Sequence, residues 1–94
     1  MVLAPPNHQT QSHLPNLDQV QALRFPPGHG LLLHLGTWHD FPIACDRPIV
    51  VLTANSDEVV TALSQMPGAD EMNQGDVYKI SLPKRLNCEI HLDL

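Results

Sequence analysis

Charge is scarce in this chain of 94 residues. Asp, Glu, Lys and Arg together make up 16% of it, against about 25% in an ordinary soluble domain. Bases are scarcer than acids, five against ten, for a net charge of −5. Lys84-Arg85 is the sole basic pair. Nucleic-acid binding relies on a basic stripe that displaces counterions, so no nucleic-acid partner is expected. Anionic membrane surfaces are disfavoured for the same reason. No apolar run approaches the roughly 20 residues of a spanning helix. The opening Met1-Val2-Leu3-Ala4-Pro5-Pro6 lacks the basic and apolar regions of a signal peptide. Cysteine is limited to Cys45 and Cys88, far apart and in no Cys-x-x-Cys motif. A disulfide framework needs more, so a reduced, cytoplasmic setting is expected.

Proline, by contrast, is plentiful, at nine residues. It has no N–H to donate and clashes with the preceding helical turn, which argues against a helix bundle. Hydrophobic residues reach 43%, enough for one domain spanning residues 1–94. Residues 1–16 are expected to be a loop or frayed arm, since Ala4 to Asn16 is polar and proline-flanked, with no hydrophobic period. Strand signals follow at Leu17–Phe25, Leu31–Leu33, Ile49–Thr53 and Asp76–Leu82, and in the strict alternation of Glu89–Leu94. Ile49–Thr53, β-branched and short, is the strongest of them. One helix is expected over 55–66. Asn55 or Ser56 caps it, Asp57 and Glu58 favour its dipole, and Val59, Val60, Leu63 and Met66 share a face. Pro67-Gly68 stops it. The pattern predicts a mainly β fold, an antiparallel sandwich or barrel with one short helix.

Chemistry concentrates in His34-Leu35-Gly36-Thr37-Trp38-His39-Asp40-Phe41-Pro42, which holds two of six histidines and the only tryptophan. On a helix, this His-x4-His spacing would place both imidazoles on one face. Gly36 and Pro42 disfavour a helix there. In a turning segment, Gly36 can take a positive φ and re-aim His39 toward a cavity. A His-Trp pair beside a turn is equally compatible with ordinary packing in which the ring N–H groups are satisfied. Gly28-His29-Gly30 lacks the lysine and spacing of a phosphate loop. No base adjoins either cysteine in sequence, so inert thiols are expected.

Gly36-Thr37-Trp38-His39 resembles the second sequence motif of the cupins. More narrowly, Gly30-Leu31-Leu32-Leu33-His34-Leu35-Gly36-Thr37-Trp38-His39, followed by Pro42, is similar to the Gly-x-x-x-His-x-x-x-Trp-His signature of the ureidoglycolate lyase (ureidoglycolate hydrolase) family. The approach through Pro15-Asn16-Leu17 and Ala22 matches as well. The resemblance covers residues 15–55 best.

The resemblance implies a cupin-like double-stranded β-helix (jelly-roll), here a partial barrel, in a cytoplasmic homodimer. It implies a carbon–nitrogen lyase of allantoin and purine catabolism that splits ureidoglycolate into glyoxylate and urea. His34 and His39 would then be catalytic, Trp38 and Asp40 would contact the small-molecule substrate, and His39 with His34 would ligate a divalent transition metal if one is used. Three departures accompany it. The strands of the first cupin motif have no counterpart. Asp40 stands where the family often has a second histidine, and Asn55-Ser56 where it often has Asp-Arg. The alternative is a non-catalytic module for small-molecule binding or oligomerisation, with a degenerate cupin site.

Overall fold

The computed structural model describes residues 1–10, 13–66, 68 and 71–93. They fall into two compact units, 1–50 and 51–93.

The first unit is organised around β1, Val2–Ala4, which is the middle strand of a three-stranded antiparallel sheet. On one side β2, Gln21–Ala22, pairs Val2 with Ala22 and Leu3 with Gln21. On the other, β3, Trp38–His39, pairs Leu3 with His39 and Ala4 with Trp38. Within the stretch expected to be an arm, Val2–Ala4 is therefore a strand and His8–Thr10 a single 3-10 turn. A second such turn, Leu17–Gln19, is capped by the Asn16 side chain, which accepts from the Asp18 amide. Ala4 is the buried residue of this unit among those described. Arg24 and Asp46 form an exposed ion pair.

The second unit pairs a helix with a hairpin. Helix α1, Asp57–Gln65, begins where the capping residues place it: the Ser56 hydroxyl accepts from the Val59 amide at 3.3 Å. Strands β4, Met72–Gln74, and β5, Val77–Lys79, form an antiparallel hairpin with Gln74 opposite Val77. The connecting Gly75 and Asp76 have φ of 59° and 63°. Both central residues thus sit in the left-handed region, as the type I′ hairpin turn requires. Gly75 also lies against α1. A Cβ there would come within 2.5 Å of Ala62 Cβ and 3.1 Å of the Glu58 carbonyl oxygen. Ala62 and Met72 are buried in this unit. Helix α2, Leu82–Leu86, follows, with Ser81 as N-cap, a proline in its first turn and Asn87 left-handed at its end. Glu71 secures it: its carboxylate accepts from the Ser81 amide at 2.8 Å and pairs with Arg85 at 3.0 Å.

The β-rich expectation holds at the level of two antiparallel sheets with one helix of more than two turns. Several elements differ from expectation. Ile49–Thr53 has no regular structure, and Val50 and Leu52 are 100% and 98% exposed. β-branching favours a pleated surface, but a strand also needs a partner for its amides, and among the described residues no strand pairs with it. Leu31–Leu33 is likewise irregular. Leu17–Phe25 is part 3-10 turn and part strand. The expected strand over 76–82 ends at Lys79, because Ser81 and Pro83 start a helix instead. Residues 89–93 of the alternating tail are irregular, and Leu94 lies outside the described residues. Pro67 also lies outside them. Among the described residues no helix is long and apolar enough to cross a membrane.

Candidate functional site

The segment from His34 to Asp40 folds as a turn leading into a strand. The Thr37 amide donates to the His34 carbonyl at 3.1 Å, and Gly36, third of the four turn residues, has φ of 81°. That is the type II arrangement, which favours glycine at this position. A second reason requires glycine here: a Cβ on Gly36 would overlap the imidazole of His8.

β3 then fixes the directions of the next two side chains. Neighbours on a strand point to opposite faces, and residues paired across strands share one. Trp38 therefore lies on the Ala4 face and His39 on the Leu3 face. Trp38 is half-buried, and its indole N–H donates to the Asn7 side-chain oxygen at 2.8 Å. Asn7 in turn donates its amide N–H to the Leu14 carbonyl at 2.7 Å. His39 is exposed, with Nδ1 3.0 Å from the Thr37 carbonyl oxygen. A carbonyl can only accept, so Nδ1 carries the proton of the neutral ring and Nε2 is left as the basic nitrogen. His34, at the first turn position, is exposed. Asp40 is exposed as well. Its amide donates to the Val2 carbonyl at 3.4 Å, and its carboxylate accepts from the Phe41 amide at 2.7 Å.

The turn thus joins His34, Gly36, Trp38, His39 and Asp40 in one short unit but splits Trp38 from His39 across the sheet. A divalent transition metal needs three or four donors. Among the described residues no three His, Cys, Asp or Glu side chains stand close enough to hold one. His34 and His39 by themselves do not fit such an ion. Nothing in the sequence singles out Asn7. A polar, proline-flanked stretch gives no signal that one of its amides meets an indole 31 residues away.

The second unit carries an open cleft of about 430 Å³ between the start of α1 and the hairpin turn. Asp57, Glu58, Thr61, Gln65 and Gln74 line it. Cys45 and Cys88 are free thiols.

No protein-family model, curated protein or solved structure matches this chain.

Proposed function

We propose that this chain is a non-catalytic oligomerisation module, completed by a second copy of itself. The observation that carries this reading is the exposure of Leu32, Leu35, Phe41 and Val50 in the first unit, each at least 81% accessible. Burying a side chain of this kind stabilises by about 1.5–3 kcal/mol. Between Phe25 and Ser56 the formal charges are Asp40, Asp46 and Arg47, two acids and one base, for a net −1. The remaining acidity lies outside this stretch, so two copies can meet there with little like-charge repulsion. Strands β2 and β3 are the open edges of a three-stranded sheet, and open edges accept further strands. The cupin-like double-stranded β-helix is proposed for that assembly, with strands of two copies contributing to one barrel. Its free thiols accord with a cytoplasmic homodimer.

Sedimentation at micromolar concentration tests the proposal. A dimer is expected, and Leu32→Asp with Val50→Asp should turn it into a monomer. A wild-type chain that sediments as a monomer throughout overturns it.

One observation favours a second reading, ureidoglycolate lyase-like chemistry: the Thr37 carbonyl fixes the His39 tautomer and presents Nε2 as a base. Nε2 takes the proton of the substrate's hemiaminal hydroxyl. The carbon–oxygen double bond of glyoxylate forms as the carbon–nitrogen bond breaks, and the proton passes to the departing urea nitrogen. His34 is the second proton carrier in this scheme. No metal takes part in it. Release of glyoxylate from ureidoglycolate, abolished by His39→Asn, supports this reading; no release above the uncatalysed rate refutes it.

A further inference from the structure

We propose that two copies of this chain join through the open edge of β2, running antiparallel about a two-fold axis at Leu23, so that their three-stranded sheets become one. This rests on the self-association proposed above and names the contact that makes it. Successive residues of an antiparallel strand turn their backbone groups to opposite sides. The Leu23 amide donates to the Met1 carbonyl at 2.8 Å, and the Met1 ammonium donates to the Leu23 carbonyl at 2.9 Å. Leu23 therefore bonds toward β1, and its neighbours Ala22 and Arg24 turn their N–H and C=O groups outward. Neither makes a backbone hydrogen bond among the described residues, and residues 21–25 are all exposed. The edge of β3 is largely spent. Its Thr37 amide serves the turn, donating to the His34 carbonyl at 3.1 Å, and its Phe41 amide donates to the Asp40 carboxylate at 2.7 Å. Pro42 follows with no N–H to offer.

A second copy supplies what the β2 edge lacks, because this edge is complementary to itself. With the axis at Leu23, Ala22 of each copy lies opposite Arg24 of the other. Every free N–H at Ala22 and Arg24 then meets a free carbonyl. Other centres fit worse. An axis at Ala22 sets Arg24 opposite Val20, whose amide already donates to the Leu17 carbonyl at 3.3 Å. An axis at Arg24 sets two like charges face to face, and sets Ala22 opposite Pro26, which has no N–H. The axis at Leu23 also brings Leu23 against its own counterpart, in the closer kind of cross-strand pair. Leu23 is 41% exposed in the single chain, so the centre of the contact covers apolar surface. Arg24 is paired with Asp46 of its own chain and brings no uncompensated charge.

Disulfide trapping on the full chain, with Cys45→Ser and Cys88→Ser, tests the proposal. In that background Leu23→Cys should form a disulfide-linked dimer under copper-catalysed air oxidation, since Cα atoms about 4.5 Å apart suit such a bond. Gln21→Cys, which lies opposite Phe25 of the second copy, and His39→Cys, on the edge of β3, should stay unlinked. Ala22→Pro removes the outward N–H without touching the bonds to β1. It should raise the dimer dissociation constant about tenfold or more in sedimentation, by one lost hydrogen bond per copy, with Trp38 emission unchanged. A dimer in which Leu23→Cys links no faster than Gln21→Cys or His39→Cys overturns the β2 contact and leaves the self-association standing. So does a folded Ala22→Pro variant that dimerises as tightly as the wild type. A wild-type chain that is monomeric overturns the self-association and this contact with it.

Discussion

The two units of this chain are held by different means. In the first, a middle strand of three residues is flanked by partners of two residues each, and burial reaches Ala4 alone among the described residues. Its specificity comes from backbone ladders, from the left-handed Gly36 and from the Asn7–Trp38 bond. In the second, a capped helix lies on a tight hairpin, Ala62 and Met72 are buried, and Glu71 ties the hairpin to α2. The second unit closes contacts over short sequence separations and stabilises itself locally. The first leaves large apolar side chains in water, which is why its completion by a second copy is proposed above.

Changes confined to the second unit sharpen that contrast. Gly75→Val should have the largest effect. The new side chain meets Ala62 and the Glu58 carbonyl, and overpacking of this kind costs about 1–3 kcal/mol. Holding a β-branched residue at φ of 59° adds about 1–2 kcal/mol. Circular dichroism should show α1 melting early while Trp38 emission stays unchanged; a simultaneous loss of both would mean that the units are not independent. Met72→Ala should follow, at about 2 kcal/mol, the lower end for a buried methionine because Ala62 is the one other residue buried in this unit among those described. Denaturant unfolding followed on the helix signal measures it.

Ser56→Ala removes the N-cap of α1 and should cost about 1 kcal/mol, read as a lower helical signal and a lower melting temperature. The smallest effect is expected from acid. Glu71 is held below the ordinary carboxylate value of 4.5 by its hydrogen bond from Arg85, and further by that from the Ser81 amide. A carboxyl with a depressed folded value binds its proton more readily when unfolded. Its stabilisation is therefore fully present above about pH 4.5 and fades as the pH falls through the lower folded value. Thermal melts from pH 7 to pH 3 should show this loss in the wild type and a shallower one in Glu71→Gln. The pair is partly exposed, so the difference should be small and should shrink in salt.

The parts legible in the sequence are those whose determinants are local. Ser56, Asp57 and Glu58 announce α1, and the structure starts it at Asp57. Gly75, held at φ of 59° in the hairpin turn, is the residue type that such a turn favours. The Gly36 turn was legible too, since a positive φ was expected there. What could not be read was pairing. Ile49–Thr53 carries every residue preference of a strand, but preference states which conformation suits a residue and not which chain segment will meet it. Val2–Ala4, by contrast, looked like the beginning of an arm and is the centre of a sheet, because Gln21–Ala22 and Trp38–His39 come to it from far along the chain. Ser81-Leu82-Pro83 held a readable helix start, and the apolar residues from Val77 to Leu82 masked it. At the site, the His34, Trp38 and His39 segment was identifiable from composition, whereas its contacts with Asn7 and His8 depend on that same long-range meeting.

The position of β1 in the middle of its sheet has a consequence for the order in which the chain is made. Leu3 waits 18 residues for Gln21 and 36 for His39, whereas Gln74 waits three for Val77. At about 5–20 residues per second, a ribosome needs roughly 2–7 s to supply β3 after β1. Hairpins of the second kind form in about 1–10 μs once both strands exist. During synthesis β1 thus keeps at least one open edge for seconds, and the late arrival of the Gly36 turn sets the time at which the first unit closes.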